Sequence, residues 1–440
     1  MAHATFRRWR ARSVRRGAVA LTVALAAAPL LAGCGSGGGN TVNVYYAPEE
    51  NFQSVVDNCN RQANGRYTIV YNKLPRDADG QREQMVRRLA AGDDGLDVLG
   101  LDVTWVAEFA EAKWIDPWTG ENAKKATEGV LAGPLATAKW KGKLYAATKN
   151  TNVQLLWYRD DLTRTPPKTW DELIASAKRL KAQGKPHNIL FTGAQYEGLV
   201  VFYNSLVDSF GGHILSDDGT RVVMDAGAVK ALRVLKELVT SGITDPSLTS
   251  SQEGEVQRAY EKGDAAYELI WPFVYPAMQK DNPELAKHFR WARYPAASAD
   301  QESRSTIGGF DLAVSSYSRH KPWAYEAALC LRSKENQKFS AVKDGVPPTI
   351  ESIYNDTTPI DPSKPAGADN PSMRTAYPMR QTILEALKDP AVRPFTPAYQ
   401  SLSTVMSKVL SPPSDIDPES TAADLRTRLT DALDSKGVIP

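Results

Sequence analysis

Residues 142–162 read GKLYAATKNTNVQLLWYRDDL, and the reading of this stretch decides the fold. Two β-prone runs, 143–147 and 153–158, flank Lys149-Asn150-Thr151-Asn152, whose short polar side chains favour turns and offer their own hydrogen bonds. On pattern alone this is either a β-hairpin or a chain passing from one lobe to another. At 440 residues the chain exceeds the size at which one core stops growing, so two lobes are expected. A hydrophobic fraction of 42% and a charged fraction of 24% are globular values.

The N-terminus is set apart from the fold. Arg7, Arg8, Arg10, Arg12, Arg15 and Arg16 precede an apolar run at 18–31, which ends in the lipobox Leu31-Ala32-Gly33-Cys34. Residues 1–33 therefore read as a lipoprotein signal peptide, with cleavage before Cys34 and acylation of its thiol. Residues 34–40 then form a flexible Gly/Ser tether. The expected address is the outer face of the cytoplasmic membrane, because the run falls short of the about 20 residues a spanning helix needs. Arg15-Arg16 leaves the twin-arginine export route open beside the general one. Removing this segment lowers the 53 basic residues to 47 against 51 acids, so no basic field for nucleic acid remains.

With Cys34 lipidated, only Cys59 and Cys330 are left, and outside the membrane two thiols favour a disulfide over a metal site. The histidines His3, His187, His213, His288 and His320 show no ligand spacing, so no metal and no cofactor are expected.

Past the tether, strands at 41–46, 66–71 and 96–102 alternate with helical patterns at 52–63, 81–91 and 104–112. That alternation predicts a mostly parallel sheet with helices on both faces. Ligands of such sheets bind beyond the carboxyl ends of the strands. Asp102 lies at that end, whereas Asp97 lies at the other end and points to the other face. Asp102 either meets a ligand or caps the next helix.

Farther on, Thr169 precedes a helix as its cap, with Trp170 packing beneath. A strand at 189–192 leads to a helix opened by Glu197, which its N-terminal dipole favours, and residues 226–241 carry a buried helical stripe. Glu253 opens another helix, and strand 265–271 is closed by Pro272. Trp271 and Phe273 then place two rings at a strand end, a candidate stacking platform. The C-terminal part, including 377–380 and 392–400, reads as a helical tail.

KLYAATKNTNVQLLWYR, with LDVTWVAEFAEA, GPLATA, EGLVV, WPFVY, TIGGFDLAV, AVRPFTPAYQ and DIDPESTA, resembles the bacterial extracellular solute-binding proteins of the sugar-binding family, and among them the trehalose-binding lipoproteins of mycobacterial importers. The resemblance covers nearly the whole mature chain. It implies an α/β, two-lobed periplasmic-binding-protein fold of type II (a Venus flytrap), each lobe a mostly parallel sheet flanked by helices. Lobe 1 would be 41–151 with 308–352, and lobe 2 152–307 with 353–440. The stretch 142–162 becomes the first crossover, 305–314 the second, and Pro347-Pro348 begins a third. Helix 323–332 would carry Cys330 back toward Cys59.

Carried over residue by residue, the resemblance implies sugar contacts at Asp102, Asn152, Glu253, Trp271, Phe273 and Arg393, with Gly309 lending backbone. Glu197, Asn150 and Asn51 complete the candidate set. Three departures stand out: the family's hinge proline is absent at Ala147 or Thr148, Tyr196 replaces a smaller residue, and 278–303 is shorter.

The chemistry suits a neutral disaccharide, since hydroxyls donate to carboxylates and accept from guanidinium while aromatic rings cover pyranose C–H faces. The expectation is a monomeric, non-enzymatic binding lipoprotein of an ABC importer that takes trehalose or a related disaccharide. It would hand that sugar to membrane permease subunits served by a separate ATPase. A lipoprotein for another α-linked sugar such as maltose is the alternative within the class. Outside it stands a secreted glycoside hydrolase, in which two of Asp102, Glu197 and Glu253 would sit about 5 to 9.5 Å apart.

Overall fold

The computed structural model describes residues 40–435. The expected signal segment 1–33, Cys34 and the tether through residue 39 lie outside the described residues. Nine strands build two sheets: β1 Thr41–Tyr46, β2 Thr68–Lys73, β3 Val98–Asp102, β4 Ala146–Val153, β5 Leu155–Arg159, β6 Asn188–Leu190, β7 Ala265–Ile270, β8 Phe289–Ala292 and β9 Ile307–Val314. The first sheet runs β2-β1-β3-β9-β4, and the second β8-β5-β7-β6.

Strands joined through helices pair in parallel: β1 with β2 and β3, and β6 with β7. Strands arriving from the other sheet enter antiparallel, as β9 does against β3 and β4, and β5 against β7 and β8. The reason is connectivity, since a crossover helix returns the chain to the same edge while a direct passage reverses it.

The decisive stretch is a passage between sheets. Lys149-Asn150-Thr151-Asn152 forms no turn but lies inside β4, bound along β9 on one side. On the other side, Thr151 N–H donates to the Pro347 carbonyl at 3.0 Å. Pairing on both edges outweighs the turn preference of these residues. Gln154 alone separates β4 from β5, and its N–H donates to Ser305 Oγ at 2.9 Å, just before β9. The first two passages are thus tied together, with the third alongside. Lys149 is fully buried, its ammonium paired with Glu49 and set over the rings of Tyr46 and Phe52.

Alternation along β5 feeds two cores. Leu156 and Tyr158 join Trp170, Leu199 and Tyr267, while Leu155 and Trp157 join Tyr260, Ile270 and Phe289. The first sheet has its own core around Val44, Leu99, Phe109 and Leu331. Ala341, Val342 and Ile350 pack with Val274 and Met278 rather than under the first sheet. Cys59 and Cys330 are bonded, Cα to Cα 5.8 Å, joining helix Phe52–Ala63 to helix Lys321–Leu331.

Two local expectations need correction or sharpening. Residues 392–398 are not helical: helix Tyr399–Val409 begins only after Pro394 and Pro397, which lack the N–H a helix interior requires. Asp97 precedes its strand rather than opening it. It is buried, and accepts from Asn43 N–H at 2.8 Å and from the Ser318 hydroxyl, a structural role.

Candidate functional site

The ends of several elements converge on a cleft of two adjoining chambers. The inner one, about 250 Å³, is lined by Asp102, Asn152, Glu197, Glu253, Trp271, Phe273, Gly309 and Arg393, eight of the ten residues singled out from sequence. The outer one, about 510 Å³, takes the other two, Asn51 and Asn150. Asn152 and Phe273 border both.

Arg393 is the hub of the inner chamber. It is 4% exposed and reaches Asp102, at the end of β3 in the first sheet, at 2.9 Å. It also reaches Glu197, which opens helix Glu197–Ser209 on the core of the second sheet, at 2.7 Å. The extended, proline-bounded segment around Arg393 is held by a bridge between Ala391 and Thr306. Burial opposes the guanidinium charge, yet Asp102, the Tyr399 hydroxyl and Glu197 together hold its pKa above the ordinary value.

Glu197 is committed to the protein. It accepts from Arg393, from Tyr399 Oη at 2.6 Å and from the Ser403 hydroxyl. Burial pushes its pKa up, against the pull of Arg393, Ser403 and Tyr399. With both oxygens so engaged, Glu197 serves to hold Arg393 rather than to offer a free carboxylate. Asp102 does not cap the next helix, which starts at Val106. Its Oδ1 instead accepts from Thr104 N–H at 3.0 Å and Thr104 Oγ1 at 2.8 Å, a short turn that aims the carboxylate at Arg393.

Glu253 opens helix Glu253–Glu261 and is held by an aromatic donor. Tyr196 Oη donates to it at 2.7 Å, with Trp271 in the same chamber lining. Burial raises the Glu253 pKa while the Tyr196 hydroxyl lowers it. Two glycines make room for the two rings. A Cβ on Gly198 would stand 2.1 Å from Tyr196 Oη, and one on Gly308 would stand 3.0 Å from the Trp271 ring. Gly309 has φ +130°, and a Cβ there would meet the Asn150 carbonyl at 2.3 Å. The paired glycines thus serve the packing of Trp271 and β4, beyond the close backbone approach expected of them.

Polar atoms without partners gather here. Gln81 Oε1, Asn152 Oδ1 and Arg393 Nε, all from residues lining the inner chamber, are buried with no hydrogen bond. Each such atom costs about 1–3 kcal/mol, a strain concentrated beside the inner chamber. Sequence reasoning missed Gln81, Arg76 and Phe310 in the lining, and Tyr399 and Ser403 behind Glu197. The spacing of Tyr399 and Ser403 on one helix face was the available signal.

In the outer chamber, polar groups satisfy one another. Asn51 Nδ2 donates to Asp344 at 2.6 Å, and Asn150 Oδ1 accepts from Tyr46 Oη at 3.0 Å. Away from the cleft, Asp160, Asp161 and His288 are the one group among the described residues with metal-like spacing. Their carboxylates are already paired with Arg290 and Arg159.

Residues 47–338 match the model of the bacterial extracellular solute-binding protein family. The chain belongs to that family. Its members are binding proteins rather than enzymes. A Deinococcus radiodurans relative named "Probable ABC transporter-binding protein" is 28% identical over 312 residues, 66% of this chain and 70% of its own. Among solved structures, maltose-bound MalE3 of T. maritima superposes with a TM-score of 0.78 at 24% identity, covering 88% of this chain and 98% of its own. The GacH receptor of Streptomyces glaucescens superposes at 0.76 and 21% identity, covering 91% and 100%. These similarities establish a two-lobed solute-binding fold for the present family member.

Proposed function

We propose that this solute-binding protein is the lipid-anchored receptor of an ABC importer and captures an α-linked neutral disaccharide, trehalose, between its lobes. The observation that carries the reading is Arg393, which joins Asp102 of one lobe to Glu197 of the other beside Trp271 and Phe273. Guanidinium and carboxylate groups around an aromatic floor suit the hydroxyl edges and C–H faces of pyranose rings.

The two lobes, each built on one of the two sheets, would rotate about the paired passages at Gln154 and Ser305. Closure is stabilised because only the closed form brings both lobes onto the sugar. The closed protein then docks on the permease, and Cys34 keeps it at the membrane. Trehalose is preferred because of the sequence runs shared with trehalose-binding lipoproteins. The name of the Deinococcus relative supports the importer, and maltose in a structural neighbour supports maltose as the second reading. A hydrolase is disfavoured, since Glu197 is spent on three donors and Asp102 on Arg393.

Calorimetry with trehalose and maltose tests the assignment, with trehalose expected to bind more tightly. Scattering curves with and without sugar should show compaction, and superimposable curves would remove the clasp. Cys34→Ala should leave the lipid fraction.

A further inference from the structure

The end of the first sheet that lies away from the cleft collects aromatic rings. β1, β2 and β3 start there and β9 finishes there, since Thr41 pairs with Thr68 and Val314 with Val98, while Asp102 lies at the opposite end. Tyr317, in the turn after β9, is 38% exposed, one of three large apolar side chains that stay exposed among the described residues. It stands outside the apolar core of that sheet. Trp323 remains partly exposed, stacked on Tyr67 with ring centroids 6.3 Å apart and with His320 at 5.7 Å. Arg66 is set over the Tyr67 ring, and Arg319 stands in the chain between Tyr317 and His320. Their side chains are 54% and 78% exposed and pair with Glu326 and Asp94, which are themselves on the surface. Surface pairs of this kind are worth so little that either arginine can exchange its partner for phosphate.

The chain enters the fold on this same face. Asn40 Nδ2 donates to the Arg66 carbonyl at 2.7 Å, and Thr68 N–H donates to the Asn40 carbonyl at 2.8 Å. Between Cys34 and Asn40 the backbone covers about 20 Å at full extension. Tyr and Trp favour the boundary between lipid and water, where an apolar ring and a polar tip are both served, and arginine is drawn to anionic lipid headgroups.

We propose that this end of lobe 1, built around Tyr317, Trp323, Arg66 and Arg319, is a membrane-resting face that settles in the headgroup layer holding the lipid anchor. The inference rests on the anchor at Cys34 proposed above and is independent of which sugar is bound. The short reach to Asn40 supplies a local concentration on the order of millimolar, so a contact too weak to recruit a free protein is populated once the chain is tethered. With this end down, the first sheet stands between the lipid and the cleft, which is held off the bilayer surface. Solute then reaches the cleft from the aqueous side.

The test is hydrogen exchange on the full lipidated chain in vesicles of phosphatidylcholine and phosphatidylglycerol, compared with residues 35–440 free in solution. On the vesicle, amides of 64–68 and 315–326 should exchange at least about twofold more slowly, as expected of a contact populated half the time or more. Helix Ala226–Thr240, on the core of the second sheet, should exchange alike in both forms. Tyr317→Ser combined with Arg319→Ser should cancel the protection and leave flotation with the vesicles and the melting temperature nearly unchanged.

Equal exchange in the two forms overturns the face and leaves the anchor standing. Protection that survives the double substitution, or that spreads evenly over both lobes, overturns the face as well. A wild-type chain that fails to float with the vesicles removes the anchor and this inference with it.

Discussion

The two chambers are built from similar residues but are poised differently. In the inner chamber Gln81, Asn152 and Arg393 each keep a buried polar atom without a partner, whereas in the outer one Asn51 pairs with Asp344 and Asn150 with Tyr46. An unpartnered buried atom raises the free energy of the fold around it, so the inner chamber is the more strained of the two. The difference also separates the two kinds of buried charge: Arg393 is held by Asp102 at the end of β3 and by Glu197 on the core of the second sheet, while Asp344 has amide donors alone.

The sharpest way to break this contrast is Arg393→Ala. It deletes the hub and leaves Asp102 and Glu197 together without their counter-charge. Sugar affinity measured by calorimetry should fall by about 100-fold or more. Arg393→Lys should recover little, because one ammonium cannot span both carboxylates in the planar geometry of guanidinium.

Trp271→Ala comes next, with an expected loss of about 10- to 100-fold from the missing aromatic surface in the inner chamber. Tryptophan fluorescence is unsuited to that variant, so calorimetry is the measurement. Asn51→Ala should change disaccharide affinity by less than about threefold, because its amide is already committed to Asp344. A loss as large as that of Trp271→Ala would erase the distinction between the chambers.

The smallest effect concerns stability. Burial raises Asp344 from 3.8 to about 6 in the folded chain, so the fold binds more protons than the unfolded chain between those values. Stability contributed by Asp344 is therefore fully present below about pH 4 and is lost as pH rises toward 6. Asp344→Asn removes this dependence, and its melting temperature relative to wild type should climb from pH 4 to pH 6 and then level off. A difference that stays constant across that range would show that Asp344 titrates as it does in the unfolded chain.

Much of the site was legible because each residue stands at an element boundary with its own local signature. Asp102 ends an apolar strand, Glu197 and Glu253 open helices, and Trp271-Pro272-Phe273 closes β7. Arg393 was visible only through the family motif around it, since a proline-bounded segment has no periodicity to read. Gln81 was hidden inside an ordinary helical pattern, and nothing along the chain marks that its oxygen lies at the cleft. Tyr196 was visible only as a departure from the family. That it clamps Glu253 depends on Gly198 and on a helix more than fifty residues away.

What the sequence determined by itself is the alternation of strands and helices, the runs that identify the family, and the residue types brought to the cleft. Periodicity and composition are local properties of the chain, so they survive without a three-dimensional context. Whether Lys149 to Asn152 would bend or run straight was left to the tertiary structure, because strand pairing with β9 and the contact to Pro347 overrule a local turn preference. The fold also decided which polar atoms stay unpartnered and how the cleft divides in two. Both follow from where distant segments end against one another, which no local stretch of sequence specifies.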